Sequence, residues 1–184
     1  MSRGRIIWAL LGSLLLSGCG FSARRQAEQE ERQRQQADSA HREYEAMIRD
    51  FLVGKRVASL TEVMAPDRVP EGAGVLLVYH GLDCGSCMDA GFGTLQTLKR
   101  DGVPCIVVAV EANSAEAQQR YGYREYIYSD PGDRLRRELK YVSTPLLLLL
   151  NDSLQITDIY KPAAGTESAA ERFRTTAVRT RQSR

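Results

Sequence analysis

A nearly continuous apolar run, Val75 to His80, leads directly into the motif Cys84-Gly85-Ser86-Cys87. Apolar residues at successive positions of so short a run are typical of a strand that is buried on both faces of a sheet. The motif opens a helical pattern that ends near Arg100, and a second apolar run, Val103 to Val110, follows it. This order of elements predicts a βαβ unit, so the chain has an α/β fold.

The rest of the chain extends this unit to a central mixed sheet flanked by helices. Thr144-Pro145 precedes an all-leucine run, and the turn residues Asn151-Asp152-Ser153 follow it, a pattern that predicts an antiparallel hairpin. The remaining predicted elements are a helix at Ser114 to Tyr121, a strand at Glu125 to Tyr128, a helix at Asp133 to Lys140, hairpin strands at Leu146 to Leu150 and Leu154 to Tyr160, and a helix at Thr166 to Ala177.

The first 18 residues have the pattern of a secretory signal. Two arginines precede an apolar run that is shorter than the ~20 residues of a membrane-spanning helix. Leu16-Ser17-Gly18-Cys19 resembles the lipobox of bacterial lipoproteins, which implies cleavage before Cys19 and acylation of that cysteine. The resemblance also implies a membrane anchor on an exported protein, and Gly20 after the cysteine favours the outer membrane of a two-membrane bacterium. An unmodified signal cleavage is the alternative.

Composition divides the exported chain into three parts. Residues 19–43 are polar and predict a helical stalk or linker, residues 44–177 carry the apolar patterns of one domain, and residues 178–184 are predicted to be a disordered basic tail. Loss of residues 1–18 removes two arginines and no acid, so the exported chain has a net charge near zero. This balance excludes the basic excess of a nucleic-acid-binding protein.

The two motif cysteines are the candidate catalytic residues. A sulfur at a helix amino terminus faces free N–H groups and the positive end of the helix dipole, so Cys84 is predicted to be the nucleophile. Cys87 lies one helical turn further on and is predicted to resolve the mixed disulfide. A structural disulfide is the alternative for this pair. Cys105, inside an apolar strand, is predicted to be a small buried side chain.

The order strand, C-G-S-C, helix, strand, middle βα segment, Thr-Pro and hairpin resembles the thioredoxin-like proteins that are tethered to bacterial envelopes. The resemblance implies that Pro145 is a cis-proline beside the cysteines and that Thr144 pairs with an extended substrate. It further implies a thiol–disulfide oxidoreductase without a cofactor, a monomer whose partners are envelope proteins with cysteines or disulfides. Thioredoxins usually carry a tryptophan where Asp83 stands, a proline in place of Ser86 and a buried acid in place of Val78.

Two other functions remain open from the sequence. Cys84 and Cys87 could bind Cu(I), with His80 as a third ligand, because thiolates suit a soft ion. The domain could instead be an interaction module whose cysteines do not turn over, since a fold alone does not establish activity. Structural zinc is disfavoured because no second cysteine or histidine pair exists, and no metal site is predicted.

Overall fold

The computed structural model describes residues 5–64, 74–110 and 114–183, with side chains from residue 24 onward. It divides after Tyr44 into two units, residues 1–44 and 45–184. Helix α1 (Arg5–Leu52) contributes to both units. In the first unit, every side chain from residue 24 to residue 38 is exposed. This part of the helix therefore has no apolar stripe to bury, as the polar composition predicts.

The second unit is built on a five-stranded mixed sheet in the order β3-β2-β1-β4-β5. Strand β1 pairs in parallel with β2, which pairs in parallel with β3, whereas β4 runs antiparallel to both β1 and β5. This confirms the predicted mixed sheet with helices and a terminal hairpin. The elements after α1 are α2 (Leu60–Val63), β1 (Gly74–His80), α3 (Gly85–Arg100), β2 (Cys105–Val110), α4 (Ser114–Tyr121), β3 (Ile127–Ser129), α5 (Arg134–Glu138), β4 (Leu146–Leu150), β5 (Ile156–Tyr160) and α6 (Glu167–Gln182).

Helices cover both faces of the sheet because its central strands are apolar on both sides. Alternate residues of β1 enter different cores: Leu77 packs in the first with Phe92 of α3 and Phe173 of α6, and Leu76 packs in the second. The second core includes residues from the end of α1, from α2 and from α5. The Gly81–Asp83 turn, which leaves β1 between these layers, therefore starts from a rigid strand.

Several predicted boundaries are wrong by a few residues. Strand β2 begins at Cys105 because Pro104 before it has no N–H to donate. Strand β5 begins at Ile156 because the Asn151 side chain accepts from the amides of Ser153 and Gln155 and prolongs the turn. The tail predicted to be disordered from residue 178 is helical as far as Gln182.

The longer final helix has a physical cause. Ala177 is buried and Val178 packs against the first core, so the apolar side of the helix does not end where the sequence prediction placed it. The threonine hydroxyls at 175, 176 and 180 each donate to the carbonyl four residues earlier, which satisfies polar groups along the exposed side. Among the residues with described side chains, no helix has both the length and the apolarity required to cross a membrane.

Candidate active site

Cys84 and Cys87 are joined by a disulfide at the amino terminus of α3, with their Cα atoms 5.3 Å apart. Cys84 caps the helix: its backbone is extended, and its Sγ accepts from the amide of Cys87 at 3.1 Å. Ser86 Oγ lies 3.6 Å from the same sulfur. Cys84 is exposed and Cys87 is half-buried. An incoming thiol or disulfide can therefore reach Cys84 more readily than Cys87.

The surroundings of Cys84 favour a negative sulfur when the pair is reduced. The unpaired N–H groups and positive dipole end of α3 face it, and a thiolate in this position gains hydrogen bonds and electrostatic stabilisation. The Arg120 side chain lies close to Gly85, the first residue of α3. A Cβ added to Gly85 would be 3.2 Å from Arg120 Nη2. A glycine between the cysteines therefore allows a cation to lie beside the motif.

The Asp83 carboxylate accepts hydrogen bonds from two different segments of the chain. One carboxylate oxygen accepts from the backbone N–H of His80 at 2.8 Å, and the other accepts from the Thr144 hydroxyl at 2.8 Å. The carboxylate thus connects the turn before Cys84 to the loop that precedes β4. The sequence could indicate that this charge lies next to Cys84, but not that it is bonded to Thr144.

The Thr144–Pro145 peptide is cis, as the resemblance implies. Lys161, directly after β5, donates from Nζ to the Thr144 carbonyl at 2.9 Å and to the Pro145 carbonyl at 3.0 Å. Only 8% of Lys161 is exposed. Burial lowers the pKa of this lysine from 10.5 to about 8, and the nearby Asp83 carboxylate partly opposes the decrease.

A cavity of about 130 Å³ opens beside the motif. Its lining includes Tyr79, Asp83, Met88, Arg120 and Tyr121, so it touches the turn before Cys84, helix α3 and helix α4. The Tyr79 hydroxyl is buried without a hydrogen-bond partner among the described residues, and burial raises the pKa of this tyrosine to about 12. Tyr79 and Tyr121 therefore give this cavity, which has room for one side chain, an aromatic lining.

Cys105 lies at the other end of the sheet from the motif. It pairs in register with Val75 at the start of β1, whereas Cys84 follows the end of that strand, about 17 Å away at ~3.3 Å per residue. Its thiol donates to the Val103 carbonyl at 3.3 Å, and burial raises its pKa to about 12. Cys105 packs against the first core as predicted, but it is half-buried instead of buried.

Of the other residues predicted from the sequence, the structure brings some to this site and not others. Thr144 and Pro145 lie beside the turn that carries Asp83, whereas Cys19 and the proposed cleavage site precede residue 24, where the description of side chains begins. Sequence reasoning missed Lys161, although a lysine between apolar Tyr160 and Pro162 was a signal of a buried charge.

Copper binding gains no support from the arrangement of ligands. His80 Nδ1 accepts from the amide of Leu82 at 3.0 Å, and the two motif sulfurs are bonded to each other. Across residues 24–64, 74–110 and 114–183, no three His, Cys, Asp or Glu side chains form a group that could hold a metal ion.

No family model matches the chain, and no curated protein matches it. Among solved structures, an uncharacterized conserved protein from Geobacillus kaustophilus has a TM-score of 0.53 and 16% identity, covering 73% of this chain and 84% of its own. A secreted Mycobacterium tuberculosis disulfide oxidoreductase homologous to E. coli DsbE has a TM-score of 0.46 and 13% identity, covering 58% and 81%. A putative thiol:disulfide interchange protein DsbE from Chlorobium tepidum has a TM-score of 0.46 and 16% identity, covering 61% and 83%.

Proposed function

We propose that this chain, which has a thioredoxin-like fold, is a thiol–disulfide oxidoreductase that exchanges disulfides with envelope proteins through Cys84 and Cys87. One observation carries the proposal: an exposed cysteine caps the amino terminus of α3 and forms a disulfide with a half-buried cysteine one helical turn further on. A purely structural crosslink would close only a very short loop, which restricts the unfolded chain little.

The reaction proceeds in two exchange steps. The Cys84 thiolate attacks one sulfur of a substrate disulfide, forming a mixed disulfide and releasing one substrate thiolate. The Cys87 thiolate then attacks the Cys84 sulfur, which forms the Cys84–Cys87 disulfide and releases the second substrate thiolate. The substrate gains two electrons and the protein loses two, and a dithiol partner restores the reduced pair. The reverse sequence oxidises a substrate dithiol.

The substrate is an extended segment that lies along the cis-proline loop. Because the Thr144 carbonyl already accepts from Lys161, we infer that pairing with the segment depends chiefly on the Thr144 N–H. Leu82, which is 89% exposed beside the motif, offers apolar contact to the segment, and the cavity near Tyr79 accepts one of its side chains.

The proposed location is the bacterial envelope, with the domain carried on the exposed polar helix and anchored through lipid on Cys19. The lipobox-like sequence supports this part of the proposal. Several acyl chains on one cysteine hold a protein firmly, because each buried CH₂ contributes ~0.8 kcal/mol. The outer membrane is the proposed destination in a two-membrane bacterium because Gly20 follows the acylated cysteine.

The oxidoreductase activity is tested by reduction of insulin disulfides with dithiothreitol as the electron source. The full-length protein is expected to accelerate the reaction, the Cys84→Ser variant to lose the acceleration, and the Cys105→Ser control to retain it. A wild-type rate equal to the uncatalysed rate would contradict turnover and favour the interaction-module alternative.

The anchor is tested separately by the mass of the mature amino terminus. The expected product begins at Cys19 and carries acyl chains, and it partitions with membranes. A Cys19→Ser variant is expected to lose both properties, whereas a Ser22→Ala control retains them. An unacylated wild-type product would contradict the lipid anchor without affecting the proposal for Cys84.

A further inference from the structure

Two opposite charges meet at Thr144, one on its side chain and one on its backbone. The Asp83 carboxylate accepts from the Thr144 hydroxyl at 2.8 Å, and Lys161 Nζ donates to the Thr144 carbonyl at 2.9 Å. Lys161 also donates to the Pro145 carbonyl at 3.0 Å. Asp83 therefore joins the turn before Cys84 to the cis-proline loop, and Lys161 joins that loop to the end of β5.

Burial of Lys161 at this position carries a large desolvation penalty. Burial of an ammonium group is strongly unfavourable, and two neutral carbonyls replace only part of its hydration. An apolar residue of similar length could fill the space without a desolvation penalty. Among the described residues, the opposite charge that acts on Lys161 is the Asp83 carboxylate, and Asp83 directly precedes the attacking cysteine.

We propose that Asp83 and Lys161 are opposed positioning charges that set the reduction potential of the Cys84–Cys87 pair from opposite directions. This inference rests on the proposed function, because it concerns the same exchange reaction. Asp83 disfavours a thiolate on the next residue, and Lys161, held on Thr144, offsets the Asp83 charge. Neither residue touches the substrate sulfur. Arg120, beside Gly85, is a separate positive charge that remains unchanged in the test.

The direction of each effect follows from the redox couple. Reduction breaks the Cys84–Cys87 bond and adds two electrons and up to two protons, and the reduced pair carries the Cys84 thiolate. A change that stabilises this thiolate stabilises the reduced form and raises the potential. Asp83→Asn removes the nearby negative charge, so we expect a higher potential. Lys161→Met leaves the Asp83 charge without its offset, so we expect a lower one.

The experiment titrates full-length protein at pH 7 in glutathione buffers, with alkylation of thiols followed by mass spectrometry. Trypsin releases residues 69–99 as a peptide that carries Cys84 and Cys87 and no other cysteine. Asp83→Asn is expected to shift the equilibrium constant about fivefold, or about 20 mV upward, and Lys161→Met about threefold, or about 14 mV downward. The double variant is expected to lie between the two single variants.

Matched controls separate charge from damage to the fold. Asp50→Asn and Lys140→Met remove exposed charges of the same types elsewhere and are expected to leave the midpoint unchanged. Lys161→Arg keeps the positive charge and is expected to remain close to the wild-type value despite its larger side chain. If Lys161→Met does not fold, Lys161→Gln takes its place and is expected to lower the midpoint, while the upward shift of Asp83→Asn tests the other charge.

The possible results fall into clear classes. An upward shift in Asp83→Asn together with a downward shift in Lys161→Met supports the inference, and the reversed pair of shifts overturns it. Shifts of the same sign, or no shift, overturn it while a reversible wild-type titration leaves the proposed function intact. A wild-type pair that does not cycle at all overturns both.

Discussion

Two cysteines lie near opposite ends of strand β1, and their environments differ. At its carboxyl end, Cys84 is exposed at a helix amino terminus and bonded to Cys87. At its amino end, Cys105 of the adjacent strand is partly buried, and burial raises its pKa to about 12. The fold therefore favours the thiolate at Cys84 and disfavours it at Cys105. Position in the fold, more than residue type, determines which sulfur is a nucleophile.

The sheet also keeps these sulfurs apart. Because β1 and β2 run parallel, the start of β2 lies beside the start of β1, and Cys105 faces Val75 instead of the motif. A disulfide requires Cα atoms within about 7 Å, so Cys105 cannot resolve a mixed disulfide on Cys84. The comparison predicts that all exchange passes through Cys84 and Cys87.

The largest expected difference between the two ends is in covalent trapping. A Cys87→Ser variant should accumulate a stable mixed disulfide on Cys84 with a disulfide substrate, because the resolving thiol is gone. The double variant Cys84→Ser/Cys87→Ser should accumulate almost none, although Cys105 is still present. Non-reducing mass spectrometry of tryptic peptides identifies the modified residue. Substantial trapping on Cys105 would contradict the prediction that all exchange passes through Cys84 and Cys87.

Alkylation should differ by at least about 100-fold between the two regions, because a thiol with a pKa near 12 has very little thiolate at pH 7.5. The measurement is the rate of iodoacetamide labelling of Cys84 and Cys105 in the reduced, folded protein. In 8 M urea the rates should converge to within a few-fold. Similar rates in the folded protein would show that burial does not protect Cys105.

Lys161 and Cys105 should change the free energy of unfolding with pH in opposite directions. The folded-state pKa of Lys161 is lowered to about 8, so the unfolded state binds more protons between pH 8 and 10.5 and stability rises with pH in that window. This contribution is roughly 1 kcal/mol from pH 8 to 9. The raised pKa of Cys105 has the reverse effect, and its contribution falls as pH increases above 9.

Urea unfolding of wild type and Lys161→Met at pH 8 and pH 9 measures the lysine contribution. The wild type should gain about 1 kcal/mol relative to the variant across this interval. Lys140→Met, which removes an exposed lysine, should behave as the wild type does. An equal pH dependence in wild type and Lys161→Met would contradict the buried charge.

The smallest expected effect concerns the charges around Cys105. Burial is the largest cause of its raised pKa, Lys99 lowers the pKa, and Glu125 raises it. Glu125→Gln should therefore increase the alkylation rate of Cys105 by no more than about threefold, because solvent screens an exposed carboxylate. A large increase would assign the low reactivity to charge instead of burial.

The sequence allowed the sheet and the cysteine pair to be predicted because both depend on local patterns. Continuous apolar runs identify the central strands, and the position of Cys84 after Val75 to His80 identifies the helix amino terminus. The cis peptide before Pro145 could be predicted only through the family resemblance, since most X-Pro bonds are trans.

The charged contacts around Thr144 could not be predicted because they join residues that are distant in the chain. Asp83 lies 61 residues from Thr144, and Lys161 lies 17 residues beyond it. No periodicity or spacing connects such positions. The end of α6 was missed for a different reason, because the packing of Ala177 and Val178 depends on the tertiary fold and the basic composition of the tail masks it.

The most direct test of the central claim is a redox titration of the full-length wild-type protein that follows two tryptic peptides. Residues 69–99 report on Cys84 and Cys87, and residues 101–120 report on Cys105. We predict a reversible two-electron transition of the first peptide between about −270 and −120 mV, with the second remaining a free thiol throughout. A first peptide that never cycles in this range, or a Cys105 that is oxidised at the same midpoint, would contradict the claim.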